Sequence, residues 1–181
     1  MKKIFMTLAV ALLAVSASAQ VYVGGNVGIA SIDNGGDDDE TVYSLLPEVG
    51  YNFNKDWAVG VEFGWSKGNL HSDESGLQEY GTQHTFEINP YVRYTFFHSK
   101  LVDVFCDGTI GYKHYQNTCD EYTIGLKPGI ALNLSNSVSL VAHAGFAGYQ
   151  TWNPKGDGEN TSKLGIDVDG NNISLGVLFK F

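Results

Sequence analysis

Three sets of side chains in this 181-residue chain have the chemistry to act, and two of them are incomplete. His84 and His114 have the right type for a general base. A base needs a nucleophile within hydrogen-bond reach, yet two residues from His84 stand Thr82 and Phe86, and two residues from His114 stand Tyr112 and Gln116. The acidic runs are the second set: Asp33 and Asp37-Asp38-Asp39-Glu40, then Asp157, Glu159, Asp167 and Asp169. Asp167-Val168-Asp169-Gly170-Asn171 has the look of a calcium loop, but its Gly comes two positions early for an EF-hand and no Glu closes it. These runs read as solvated acidic loops with diffuse affinity for cations, so neither a metal centre nor a cofactor is expected. The third set is the most coherent. Glu48, Glu62, Glu87, Asp103 and Asp107, with Arg93, Lys113, Lys127 and Lys180, alternate with apolar residues along extended segments.

The formal net charge is −9 at pH 7, and no Lys/Arg cluster occurs beyond Lys2-Lys3. Nucleic acid is thereby excluded as a partner, since phosphate backbones need concentrated positive charge. Lys2-Lys3, the apolar run from Ile4 to Val15 and then Ser16-Ala17-Ser18-Ala19 follow the order of a secretory signal. Residues 1–19 are expected to be removed as a signal peptide, leaving 20–181 as one domain of net charge −11. Two cysteines, Cys106 and Cys119, cannot make a disulfide framework. They are too far apart along the expected strands to bridge each other.

What must position these groups is read from period. Apolar residues alternate with small or polar ones in eight segments, roughly 21–31, 41–53, 57–67, 83–97, 101–115, 121–134, 138–151 and 171–181. Each is long enough for the ~9–11 residues of a tilted transmembrane strand. Three-residue turns (Asn54-Lys55-Asp56, His98-Ser99-Lys100, Ser135-Asn136-Ser137) alternate with longer polar links at 32–40, 68–82, 116–120 and 152–170. This pattern predicts an all-β fold: an eight-stranded antiparallel up-and-down transmembrane β-barrel with short periplasmic turns and longer extracellular loops. Pro47, Pro90 and Pro128 fall inside strands on the apolar face, where bulges are expected to tolerate them. A soluble β-sandwich is the bland alternative; it would set the charged positions on its surface against an unusually aromatic core.

In the barrel the apolar face meets lipid, with Tyr43, Trp65, Phe86, Tyr112 and Tyr122 in a girdle toward the loops and Phe53, Trp57, Phe96 and Phe181 in one toward the turns. The five acids and four bases named above then point into the lumen, nearly balanced, as a structural polar network. Inward glycines, among them Gly50, Gly60, Gly64, Gly111, Gly125 and Gly129, make room for them and account for part of the count of 22 Gly. Eight strands leave an interior that side chains fill, so no continuous pore is expected.

The strand pattern, the segment Pro47-Glu48-Val49-Gly50-Tyr51-Asn52-Phe53 ahead of a tight turn, and the terminal Leu175-x-Val177-x-Phe179-x-Phe181 resemble the small outer-membrane β-barrel family of the OmpA/OmpX type. The resemblance covers essentially all of 20–181. It implies residence in the outer membrane of a Gram-negative bacterium, as a porin-like envelope protein. It also implies that Leu175, Val177, Phe179 and Phe181 form the signal read by the barrel assembly machinery. Such proteins commonly serve in envelope integrity, adhesion or host contact without enzymatic activity, and no peptidoglycan-binding domain is expected after the last strand. The expected partners are outer-membrane lipid and lipopolysaccharide and an extracellular ligand of the loops, with the protein a monomer. Two rival functions stand beside this reading: an enzyme modifying lipid A through His84 or His114, as in some small barrels, and a narrow ion or solute channel through the charged lumen. The four long links hold 13 acidic and 2 basic residues, so the whole negative excess is expected on the outer side.

Overall fold

The computed structural model describes residues 20–32, 40–67, 84–116, 119–155, 160–167 and 173–181, without the side chains of 28–32, 40–42, 167 and 173. The signal segment 1–19, the acids Asp33, Asp37, Asp38, Asp39, Asp157, Glu159 and Asp169, and the whole of the 68–82 link therefore lie outside the described residues.

Alternation dictates strands, and the described residues hold strands and no helix: β1 Val21–Ile32, β2 Glu40–Asn52, β3 Trp57–Lys67, β4 His84–His98, β5 Val102–Tyr115, β6 Cys119–Asn133, β7 Val138–Ala144, β8 Phe146–Pro154, β9 Thr161–Asp167 and β10 Ile173–Lys180. Neighbours pair antiparallel from β1 through β6, β6 continues onto β7 and β8, and β10 joins β7 to β1. The result is a closed barrel of eight staves, because β7 with β8 makes one stave and β9 with β10 another. Where the β1–β10 and β5–β6 seams close, the sheet has no free edge, the condition for strands to cross lipid.

Two features correct the expectation for the last third. The segment 138–151 is broken at Gly145, whose φ of 80° is closed to most side chains. Pairing with β6 shifts there by one residue, from Gly129 opposite His143 to Leu126 opposite Ala147, which is a bulge. The link 152–170 is not all loop either, since Thr161–Asp167 pairs with β8 as β9 and extends the hairpin. The signal for it was weak because its outward Ser162, Leu164 and Ile166 are only partly apolar and its partner had already been cut short at residue 151.

The prolines are accommodated in two ways rather than one. Pro128 does face the Gly145 bulge, between Leu126 and Gly129. At Pro47 and Pro90 the ladder toward the following strand is interrupted without a shift, while pairing with the preceding strand runs on through Pro47–Gly25 and Pro90–Val61. A proline lacks one donor, which serves a single neighbour. The strand therefore loses one rung on one side and keeps its register. The one bulge within β4 lies between Thr95 and Phe97.

Seams differ in extent. β5 and β6 are partners from Val102–Leu132 through Tyr115–Cys119, whereas β1 and β10 are partners only from Tyr22–Lys180 to Asn26–Gly176. Among the described residues, Val27–Ile32 pairs with β2 alone. Gly25, with φ of 144°, sits at this departure, and a Cβ there would collide with the backbone of Leu46 and Pro47.

Outside, the wall is apolar: Val27, Leu45, Phe63, Val92, Ile110, Ile124, Ile130, Leu140 and Leu175 are all exposed. Trp65, Phe86 and Tyr122 toward the loops and Phe53, Trp57, Phe96 and Phe181 toward the turns are exposed as well, while Tyr43 and Tyr112 are half-buried.

Candidate functional site

The chemistry-bearing groups of the lumen converge on β4, whose inward residues are Thr85, Glu87, Asn89, Tyr91 and Arg93. Two-residue spacing puts each of them one step further down the barrel axis. At the centre is Arg93. Its Nε and Nη2 donate to Asp107 Oδ1 and Oδ2 at 2.7 and 2.8 Å, a bidentate fork, and Nη2 lies 3.5 Å from Glu48 Oε1. The guanidinium also stacks 4.0 Å from the centroid of the Phe105 ring. His143 Nε2 lies 2.9 Å from Asp107 Oδ2, Tyr91 donates its hydroxyl to Glu48, and the Tyr22 and Tyr91 hydroxyls are 2.6 Å apart. Every member is buried or nearly so, with Phe105 at 1% and Asp107 at 3% exposure. Isolated ions at that depth would cost several kcal/mol each, so the pairing is a condition of folding.

Further toward the loops, Lys113 Nζ pairs with Glu87 Oε2 at 3.2 Å and Asn89 donates to Glu62 Oε1 at 3.0 Å. Lys127 lines the same space. Toward the turns, Asn133 donates to Asp103 Oδ2 at 2.7 Å and receives both Ser139 Oγ and Lys180 Nζ on its Oδ1, at 2.7 and 3.0 Å. The nine residues expected in the lumen thus fall into three clusters instead of one network. Arg93, Asp107 and Glu48 meet directly; Glu87, Lys113, Glu62 and Lys127 stand above them; Asp103 and Lys180 lie below.

Sequence reasoning missed several partners. Tyr22, Asn89, Tyr91, Phe105, Glu121, Asn133 and Ser139 occupy inward positions of the same alternation, so parity alone assigns them to the lumen. What parity does not supply is the pairing, which depends on cross-strand register. Glu121, for example, accepts from Tyr115 at 2.9 Å. The inward glycines fit this picture: a Cβ on Gly60 would fall on the Tyr91 hydroxyl, one on Gly50 on the Tyr22 ring, and one on Gly129 on the Phe105 ring.

The central layer separates two cavities. One of about 220 Å³ opens toward the loops, between Asn26, Glu62, Glu87, Lys113, Lys127 and Ser174. The other, of about 440 Å³, opens toward the turns, between Gln20, Asn52, Lys55, His98, Asp103 and Lys180. Arg93 lines both.

A closed eight-stranded barrel with an apolar exterior and a paired ionic interior is one of the few ways a β-sheet can sit in lipid. Comparison with known families agrees: the model of the outer membrane protein beta-barrel domain matches residues 5–181. The chain belongs to this family. As an outer-membrane barrel it is also similar in fold to Neisserial surface protein A, at 16% identity and a TM-score of 0.51, over 91% of this chain and 98% of that one. No curated protein matches in sequence.

The remaining candidates of this outer-membrane barrel fall on its rim and wall. His84 and His114 both face outward, as Lys67–His84 and Phe86–His114 partners. His114 lies 2.6 Å from Asp120 Oδ1 through Nδ1 and 3.4 Å from Lys155 Nζ through Nε2. Cys106 and Cys119 are free thiols, opposite Pro128 and Tyr115 respectively. In β10, Leu175, Phe179 and Phe181 are exposed outward and Val177 is half-buried, with Phe181 N donating to Val21 O at 2.9 Å. Among the described residues no group of three or more His, Cys, Asp or Glu is placed to hold a metal ion.

Proposed function

We propose that this barrel is a monomeric, non-conducting scaffold of the outer membrane that acts through its extracellular loops. The observation that carries the reading is the central layer of Arg93, Asp107, Tyr91, Glu48 and Phe105 between the two cavities. A bidentate, stacked guanidinium held from both sides is a poor gate, because moving it aside strands two buried carboxylates. Planar-bilayer recording tests this: the wild type gives no stable openings, and steady wild-type conductance that substitution of Glu87 or Lys127 alters overturns the closed-lumen reading.

The charge distribution supports the loop role, since the long links carry 13 acidic residues against 2 basic ones. Replacing Asp37, Asp38, Asp39 and Glu40 by their amides is expected to change binding of the cell surface to cations or basic ligands and to leave barrel assembly untouched. Assembly itself is assigned to Leu175, Val177, Phe179 and Phe181, the outward positions of the last strand. Phe181→Ala is expected to lower the amount of folded barrel recovered from outer membranes.

The His114–Asp120 contact favours a second reading, a lipid-modifying enzyme, because a carboxylate orients a histidine in many hydrolytic sites. Among the described residues the other side-chain hydrogen-bond partners of His114 are Tyr112 and Lys155, neither of them a serine, threonine or cysteine nucleophile. Lipid A mass profiles with and without the gene separate the readings. No difference is expected, and a shift that requires His84 or His114 establishes the enzyme.

A further inference from the structure

The outward residues at the loop end of β3 to β8 form an arc that brings together Lys67, His84, His114 and Lys155, with Asp120 among them. Lys67 and His84 are cross-strand partners, the His84 ring lies 5.9 Å from that of Trp65, and Phe86 is the partner of His114. Asp120 stands directly opposite His114, and Lys155 reaches back from the end of β8 to the same ring. Lys155 is one of only two basic residues in the four long links, which otherwise hold acids. Below the arc, on the same outer face, lie Trp65, Phe86, Tyr112 and Tyr122, with Tyr112 and Tyr122 ring centroids 5.2 Å apart. Aromatic side chains mark the depth of lipid headgroups in a barrel wall. The basic groups therefore sit at headgroup depth on the outer face of the wall.

The geometry at His114 is specific. A carboxylate only accepts, so the 2.6 Å contact with Asp120 places the proton on Nδ1, and the Tyr112 hydroxyl also donates to that carboxylate at 3.2 Å. Asp120 is thus occupied by two donors from beneath. Nε2 is left facing outward, 3.4 Å from the Lys155 ammonium. With the proton on Nδ1, Nε2 accepts from Lys155 Nζ, which holds the ammonium at the centre of the arc and leaves its other N–H bonds free to meet a phosphate oxygen. Charge-assisted bonds to phosphate are among the stronger ones available at a surface.

We infer that this arc, with His114 and Lys155 at its centre and Lys67 and His84 along it, is a binding site for the phosphate groups of an outer-leaflet glycolipid of the lipid A class. The site rests on the membrane placement of the barrel and not on the proposed loop function, so either stands if the other fails. It needs no reaction, and Asp120 serves as a positioning residue for His114.

Native mass spectrometry of the detergent-purified barrel, titrated with bis-phosphorylated lipid A and with the same lipid after phosphatase treatment, tests the inference. Wild type is expected to retain the phosphorylated form and to bind the dephosphorylated form far less. Lys155→Ala is expected to weaken binding about fivefold, the effect of one cation near a charged lipid surface, His114→Ala, which releases the ammonium from its anchor, to weaken it less, and Lys155→Arg to restore it. Lys55→Ala and Lys100→Ala, at the turn end, are expected to change nothing. Heat-modifiable gel migration confirms that each variant remains folded. Equal binding of both lipid forms overturns the inference, as does a folded Lys155→Ala, His114→Ala double variant that binds like wild type. Loss of the gene leaving lipid A chemically unchanged is compatible with this site and excludes only the enzyme.

Discussion

Residues 92 and 93 are neighbours in β4 and live in opposite worlds. Val92 faces outward at 46% exposure, and its partners Val59 and Gly108 belong to the same apolar wall. Arg93 points inward at 7% exposure and touches Asp107, Glu48 and Phe105. On the outside, any residue of suitable hydrophobicity meets much the same lipid. On the inside, each group meets particular partners at set distances, so the identity of the side chain is fixed. The inner face specifies the barrel, and the outer face only permits it.

The largest expected effect breaks the inner face at its centre. Arg93→Met removes the countercharge of two buried carboxylates and is expected to cost about 3–5 kcal/mol in reversible unfolding from lipid vesicles. Val92→Ala, one residue away, is expected to cost about 1 kcal/mol or less. Replacing the carboxylates at the same time, as Arg93→Met with Glu48→Gln and Asp107→Asn, is expected to recover part of the loss. A similar cost for Arg93→Met and Val92→Ala removes the distinction.

Glycines sharpen the comparison because one substitution is expected to change sign between the two faces. Gly60→Ala places a methyl against the Tyr91 hydroxyl, which Tyr22 and Glu48 hold in place, and is expected to cost about 1–3 kcal/mol. Gly108→Ala faces lipid, where the nearest atoms to the new Cβ are Val92 O at 3.8 Å and Leu126 Cδ2 at 3.9 Å. Removing the entropy cost of a strand glycine there is expected to stabilise by about 0.5–1 kcal/mol. Urea midpoints of the two variants should move in opposite directions.

The faces also explain how much was legible beforehand. Parity needs only apolar spacing, so the inward assignment of Glu48, Glu87, Arg93, Asp107 and Lys113 could be read from the chain. Pairing needs register, and register is set by turns, bulges and prolines spread over the whole barrel. The fork of Arg93 on Asp107 follows from β4–β5 alignment past the rung missing at Pro90, which no local pattern announces. The break at Gly145 was hidden for a related reason: a glycine in an alternating run reads as one more small inward residue. β9 was hidden because a hairpin that rises past the membrane needs no apolar outer face. The arc at His114 depended on Lys155 folding back across β6 and β8, a contact spanning 41 positions of sequence.

The smallest effect tests whether burial, and not charge as such, makes the inner face specific. At the turn end His98 lies 3.1 Å from Asp56 Oδ1 and 3.4 Å from Asp103 Oδ1, joining two periplasmic turns with the same chemistry as His143 on Asp107. Its side chain is 36% exposed, against 14% for His143. Water screens the outer contact and competes for it, so His98→Asn is expected to cost less than about 1 kcal/mol. His143→Asn, at the buried end of an equally short contact, is expected to cost more, about 1–3 kcal/mol, because it perturbs the acceptor that Arg93 needs. Equal costs would mean that the lumen owes its specificity to charge count, and that depth in the barrel contributes nothing beyond it.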